Sequence, residues 1–396
     1  MAITRPHASK SQGISFCEIK TICEEVAAKI EQMPSNTVHP GNASCPEFPS
    51  ENEILSHCVR LAHSQLGIDV TGLDLKGELD SNKFKYLKIC SVTGGFTNIL
   101  YKVTNSKNNK TVAVRIFGRK TERFIDRSHE RIIQTHLCIQ GFAKHVYARF
   151  NGGQVEEWLQ GEVLSDEEFY GFKYNHLIAK QLRVLHNIPG QRELYLRLHP
   201  EVRKETLVNF ESQLWPSVWR FYNLCIENIS LLKPIIGDQF NLYDIRGHLE
   251  RIHIYCDEVN SPVVLCHGDL SKGNIVLNSS NDVLFLDYEY ACFMERAFDM
   301  AAHFSEFAAY ESDSSRIPSS RVQHEFIRHY LGEEATEDEV EYLFKEIQPF
   351  LIVPNIYWGL WGLLQCVYSS IHTDFAHYSM NRITRFLDDV KTYAQH

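Results

Sequence analysis

The 396-residue sequence has no CxxC pair among its 11 cysteines. Odd in number and scattered singly, they spell neither a disulfide framework nor a zinc ribbon, and a reducing compartment suits them best. There is no excess of positive charge: 40 Lys and Arg stand against 50 Asp and Glu, a formal net charge of −10. A general nucleic-acid binder needs a basic face to neutralise phosphates, so nucleic acid is not an expected partner. No stretch reaches about 18 uninterrupted apolar residues, and the first thirty lack the apolar run of a secretory signal. No integral membrane segment is expected, and the location read from these absences is cytoplasmic. There is no internal repeat. Little room is left for extensive disorder, because 44% hydrophobic and 23% charged residues is an ordinary globular composition.

What is present divides into three parts. Residues 1–80 form an extension in which a Pro-, Ser- and Asn-rich loop (34–52) precedes EILSHCVRLAHSQLG (53–67). That run repeats apolar residues at helical spacing, ends on Gly67, and predicts a packing helix. Residues 81–160 hold short runs rich in β-branched and aromatic residues (YLKICSV, TNILYKVT, KTVAVRIFG, HVYARFNGGQVEEWL), broken by Gly and Asn. They predict an antiparallel sheet, interrupted by a helix after Asp126. Residues 161–396 are helical by periodicity apart from two short apolar runs, VVLC (263–266) and DVLFLD (282–287). The expected class is α+β, a β-rich lobe followed by a mostly helical one.

The most informative segment is His267-Gly268-Asp269-Leu270-Ser271-Lys272-Gly273-Asn274, followed by a strand-like run ending at Asp287. Phosphoryl transfer to an alcohol needs a carboxylate beside the attacking hydroxyl and oxygen ligands that hold Mg²⁺ on the phosphates, because positioning and charge stabilisation do most of the work. Asp269 with Asn274 five residues later, on a loop after a strand, places base and metal ligand on one surface; Asp287 closes the metal site. Mg²⁺ takes few protein oxygens and fills its shell with phosphates and water. Each residue alone reads as a turn or cap former; the combination between two apolar strands is specific. A protein kinase is disfavoured, because Tyr288-Glu289 follow Asp287 where Phe-Gly is expected, Gly268 replaces Arg, and no A-P-E segment occurs.

Upstream, Val92-Thr93-Gly94-Gly95-Phe96-Thr97-Asn98 joins two predicted strands. It reads either as a simple hairpin or as a loop folding its N–H groups over nucleotide phosphates. Arg115, on the strand Val112-Ala113-Val114-Arg115-Ile116, offers planar bidentate donors to phosphate. Trp358 and Trp361 are three apart and share a helix face; an aromatic stripe at that spacing is ordinarily core, but indoles also attract a cation.

From about Ser91 onward the chain resembles the choline/ethanolamine kinase family. The carrying stretches are VTGGFTNILYKV, VAVRIFGRKTERFIDR, SPVVLCHGDLSKGNIVL, VLFLDYEYACFMERAFDMAAHFSEFA and NIYWGLWGLLQCVYSSI. VRIFGRKTERFIDR and SPVVLCH look closer to the ethanolamine kinases. The resemblance implies a two-lobed, protein-kinase-like (aminoglycoside phosphotransferase-like) fold with ATP in the cleft. Asp269 would be the catalytic base, with Asn274 and Asp287 on Mg²⁺ and Glu289 assisting indirectly. Gly94, Gly95, Thr97, Asn98 and Arg115 would lie at the phosphates, and Glu157 and Leu159 would mark the hinge that meets adenine. The amino alcohol would sit against Tyr290, Glu306, Trp358, Trp361 and Tyr378. The implied activity is phosphorylation of ethanolamine to phosphoethanolamine, feeding phospholipid head-group synthesis, with choline as the alternative acceptor. The resemblance leaves room for a homodimer. Thr373 stands where choline kinases carry an aromatic, Asp374 follows it, and Glu311 lies where a further tyrosine is expected. A primary ammonium has three N–H donors to satisfy and a quaternary one has none, so oxygens in place of rings point to ethanolamine. A kinase-fold binding protein without catalysis is the reading from another class; the intact Asp269, Asn274 and Asp287 weigh against it.

Overall fold

A computed structural model describes residues 87–92, 97–118, 120–150, 152–369 and 373–393. The extension at 1–80 with its expected helix, and Gly94 and Gly95, lie outside the described residues.

The first part is one antiparallel sheet in the order β1-β2-β3-β5-β4: β1 (Leu87–Val92), β2 (Asn98–Asn105), β3 (Lys110–Phe117), β4 (Val146–Phe150) and β5 (Gly153–Glu157). Its strands are the β-branched and aromatic runs read from the sequence. Val103, Val112, Val114, Ile116 and Val155 close its core, and the central strand β3 is buried through most of its length. Asn109 (φ 57°) takes the left-handed conformation in the β2–β3 turn, one that Asn tolerates better than other side chains. The expected helix α1 (Arg127–Ile139) starts where the sequence puts it, because the Asp126 side chain accepts from the N–H groups of Ser128 and His129.

The chain then becomes helical. After the short β6 (Glu162–Val163) come α2 (Asp166–Tyr170), opened by a Ser165/Glu168 capping box, α3 (Asn175–His186), α4 (Gln191–Leu198), α5 (Leu214–Glu227), α6 (Ile229–Ile236) and α7 (Leu242–Val259). The two apolar runs become β7 (Val263–Cys266) and β9 (Val283–Phe285), with β8 (Ile275–Leu277) between them and β10 (Cys292–Glu295) after them. They form two small antiparallel sheets, β6-β8-β9 and β10-β7. The remaining helices are α8 (Arg296–Glu306), α9 (Ser320–Leu331), α10 (Glu337–Ile347), α11 (Val353–Tyr368) and α12 (Phe375–Tyr393).

Helix α11 is buried on every side from Val353 to Gln365 and forms the centre of the helical core. The run Glu337–Tyr368 is long and apolar enough to cross a membrane by length and composition, but 83% of its apolar window is buried inside the protein. Helix α12 packs closely on α11 because two glycines clear the way: a Cβ at Gly362 would meet Ser379 Oγ at 2.3 Å and Tyr378 Cδ1 at 3.0 Å. Gly362→Ala is expected to cost about 1–3 kcal/mol through this overlap, less whatever its better helix propensity returns, as read from chemical denaturation. It should also push Tyr378 out of place.

Candidate active site

The sequence-predicted catalytic, nucleotide, metal and amino-alcohol residues in the described part of the chain line one cavity of about 750 Å³ between the sheet and the helices. These are Thr97, Asn98, Arg115, Glu157, Leu159, Asp269, Asn274, Asp287, Glu289, Tyr290, Glu306, Trp358, Trp361 and Tyr378.

The loop after β7 is held from below. Asp299 of α8 is fully buried and accepts from the backbone N–H of His267 (2.7 Å) and of Gly268 (2.9 Å). It also bonds His186 Nε2 at 3.0 Å, and the other nitrogen of that ring meets the Tyr330 hydroxyl at 2.9 Å. Burial alone would raise the Asp299 carboxyl; the hydrogen bond and charge of His186, with those of His267, hold it below its ordinary range. His267 is buried with its pKa pushed down by desolvation; its Nε2 donates to Leu286 O (2.9 Å) and its Nδ1 faces the N–H of Asp269 (3.3 Å). Gly268 has φ 79°, and a Cβ there would lie 2.5 Å from the Tyr290 carbonyl oxygen. The loop therefore needs a residue without a side chain at that point.

Asp269 is tied to Asn274, whose amide nitrogen donates to the Asp269 carbonyl (2.8 Å) and carboxylate (2.9 Å). That fixes the amide orientation and leaves Oδ1 as its acceptor toward a cation. Burial, then the nearby carboxylates of Glu306, Asp287 and Glu289, push the Asp269 carboxyl well above its ordinary value. Asp287 sits at φ 60°, a strained backbone that Asp tolerates better than most residues. Its pKa is also pushed upward by burial, against the opposing charge of Arg115.

Arg115 is enclosed by three carboxylates: Nη1 donates to Glu130 (2.5 Å), and Nη2 to Asp287 (2.7 Å) and Glu289 (2.8 Å). Glu289 takes more donors still, from Arg127 (2.7 Å), Asn98 (2.9 Å) and the hydroxyl of Thr97. Both of its oxygens are thus engaged, it shares Arg115 with Asp287, and ligand oxygens of Glu130, Asp287 and Glu289 lie within 4.8 Å of one another. Glu130 and Arg127 were not singled out from the sequence. Their signal was weak but present, a charged pair three apart on one helix face.

At the other end Tyr290, Trp358, Trp361 and Tyr378 build an aromatic wall. Trp358 and Trp361 share a face, but their rings meet edge to face (84°, 5.4 Å) rather than stacked. Tyr290 packs edge-on against Trp358 (5.0 Å) and accepts from Trp361 Nε1 at 2.5 Å. Glu306 supplies a carboxylate here, held by the buried Arg382 at 2.8 Å. Of the three positions read as acceptor-rich, only Thr373 lines the cavity. Asp374 caps α12 through the N–H of His377, and Glu311, 68% exposed, pairs with His377 at 2.9 Å. Their carboxylates are spent at the rim, which leaves Thr373 and Glu306, with the tyrosine hydroxyls, as the oxygen groups at this end of the cavity.

A β-rich lobe and a helical lobe with two carboxylates and an amide in the cleft between them have the architecture of a kinase-like phosphotransferase fold. A model of the choline/ethanolamine kinase family matches residues 89–387, and the chain belongs to that family. It is similar to mouse ethanolamine kinase 1, 32% identical over 317 residues covering 74% of this chain and 81% of that protein. It is also similar to a probable choline kinase of Arabidopsis thaliana, 30% identical and covering 76% of this chain and 86% of that one. Among solved structures, an ethanolamine kinase of Plasmodium vivax superposes with a TM-score of 0.72 at 31% identity, covering 92% of this chain and 94% of the other.

Proposed function

We propose that this protein transfers the γ-phosphoryl group of ATP to the hydroxyl of ethanolamine. One observation carries the reading: a single cavity joins Asp269, Asn274 and Asp287 to an aromatic wall with a carboxylate, Glu306, set in it. The first group suits phosphoryl chemistry and the second suits an ammonium ion.

Glu157 and Leu159 would meet the adenine through their backbone, and Arg115 would face the phosphates from among its carboxylates. Asn274 Oδ1 and a carboxylate oxygen of Asp287 are hard oxygen donors of the kind Mg²⁺ takes, and these residues would hold it. When bound, the ion neutralises phosphate charge. Asp269 orients the hydroxyl and accepts its proton. The oxygen then bonds to the γ-phosphorus as the bond to the β,γ-bridging oxygen breaks and ADP leaves. The upward pressure on the Asp269 carboxyl makes it the better proton acceptor.

Choline is the second reading, because the four aromatic side chains that favour a quaternary ammonium are all in place. The test is ADP release with Mg²⁺-ATP and matched ethanolamine or choline. Preference for ethanolamine supports Thr373 and Glu306 as the selecting acceptors; preference for choline gives the decision to the aromatic wall. No turnover with either leaves a binding protein. Glu306→Gln is expected to raise KM for ethanolamine by about tenfold or more with little change in KM for ATP, since it removes the charge that pairs with the ammonium.

A further inference from the structure

Four cationic side chains line the cavity among the described residues: Arg115, Lys144, Lys272 and Arg382. Three are committed to the interior. Arg115 serves Glu130, Asp287 and Glu289; Lys144 pairs at 2.5 Å with the fully buried Glu156; Arg382 pairs with Glu306. Pulling any of them away would strand a carboxylate with little access to water. Lys272 differs. Its partner is Asp166 at the start of α2, 75% exposed, at 2.5 Å, and its own side chain is 35% exposed. A carboxylate so open to solvent gives up its cation at small cost, because water replaces the contact.

Position adds a second argument. Lys272 opens the short turn Lys272–Asn274, three residues after Asp269 and two before Asn274. The largest charge influences on Asp269 come from the carboxylates of Glu306, Asp287 and Glu289, whose own cations, Arg382 and Arg115, are held on them. A phosphoryl group arriving there meets carboxylates whose arginines are already engaged, so a further uncommitted cation would add charge that Arg115 and Arg382 do not have to spare.

We propose that Lys272 leaves Asp166 and turns to the γ-phosphoryl oxygens during transfer, as a catalytic residue, with Asp166 as its resting partner. Lys272 exchanges no proton; it stabilises charge on the equatorial oxygens while the bonds to phosphorus change as described above. This rests on the phosphotransferase reading of the cavity and not on the identity of the acceptor.

Two measurements test it. In steady state with ethanolamine, Lys272→Met should lower kcat about 10²-fold with KM for ATP within a few-fold, Lys272→Arg should restore part of the loss, and Asp166→Asn should keep kcat within about threefold. In calorimetry with Mg²⁺ and ADP, adding fluoroaluminate as a stand-in for the phosphoryl group in flight should tighten binding to the wild type. Lys272→Met should lose at least about tenfold of that gain while binding ADP alone as before. Equal kcat losses in Lys272→Met and Asp166→Asn would overturn the proposal in favour of a structural bridge, as would an unchanged fluoroaluminate gain in Lys272→Met. A Lys272-dependent gain without ethanolamine or choline turnover would uphold Lys272 and remove the acceptor assignment instead.

Discussion

Asp269→Asn is expected to lower kcat by about 10²–10⁴-fold, the range contributed by a positioned general base, while KM for ATP stays within a few-fold. The metal-free variant should also unfold at a higher temperature than the wild type. In the native protein the Asp269 carboxylate is half-buried and crowded by Glu306, Asp287 and Glu289, so its charged form opposes folding. A neutral amide of the same shape relieves that repulsion. The two effects have opposite signs, and scanning calorimetry beside steady-state kinetics reads both. A loss of activity accompanied by a lower melting temperature would mean that Asp269 holds the loop together instead of reacting.

Asp299→Ala should do the reverse: its first effect is on stability. Removing the carboxylate leaves the His267 and Gly268 N–H groups and the His186 ring without their acceptor, all of them buried. Breaking a buried charged network of this kind costs about 3–5 kcal/mol. Activity should fall with it, because the loop that carries Asp269 hangs from those two N–H groups. The pH dependence has a definite sign. The folded-state pKa of Asp299 lies below the ordinary carboxylate value. Its contribution is therefore complete above the unfolded pKa of about 3.9 and is lost as pH falls through the lower folded value. Acid titration of stability should be steeper in the wild type than in Asp299→Asn over that window, and parallel curves would show that the carboxylate is not the strut.

The chemistry of the loop was legible in the sequence because it is local. Asp269, Asn274 and Asp287 lie within one loop–strand unit, and their spacing alone places them together. The tryptophan pair was legible for the same reason, although helical spacing fixes the shared face and not the angle between the rings. The supports were hidden because they are long-range. Arg115 meets Glu289 across 174 residues and His186 meets Asp299 across 113, and no periodicity links them. A polar residue in the apolar run Ala297–Phe304 was the only mark that Asp299 left. Asp374 and Glu311 show the opposite failure. They are close in sequence to cavity-lining Thr373 and Tyr310, but a neighbour's position does not tell where a side chain turns, and both carboxylates found partners outside the cavity.

The Glu289 cluster has a mechanical consequence. Thr97 precedes β2, Asn98 opens it, Arg115 lies on β3 and Arg127 begins α1, yet all four converge on one carboxylate that belongs to the segment after β9. Parting the lobes at that point would separate a buried anion from four donors at once, a far higher barrier than sliding exposed side chains at the rim. The inner edge of the cleft thus behaves as a fixed pivot. A widening of the cleft is then expected to swing the outer rim about this joint, with the joint itself staying closed.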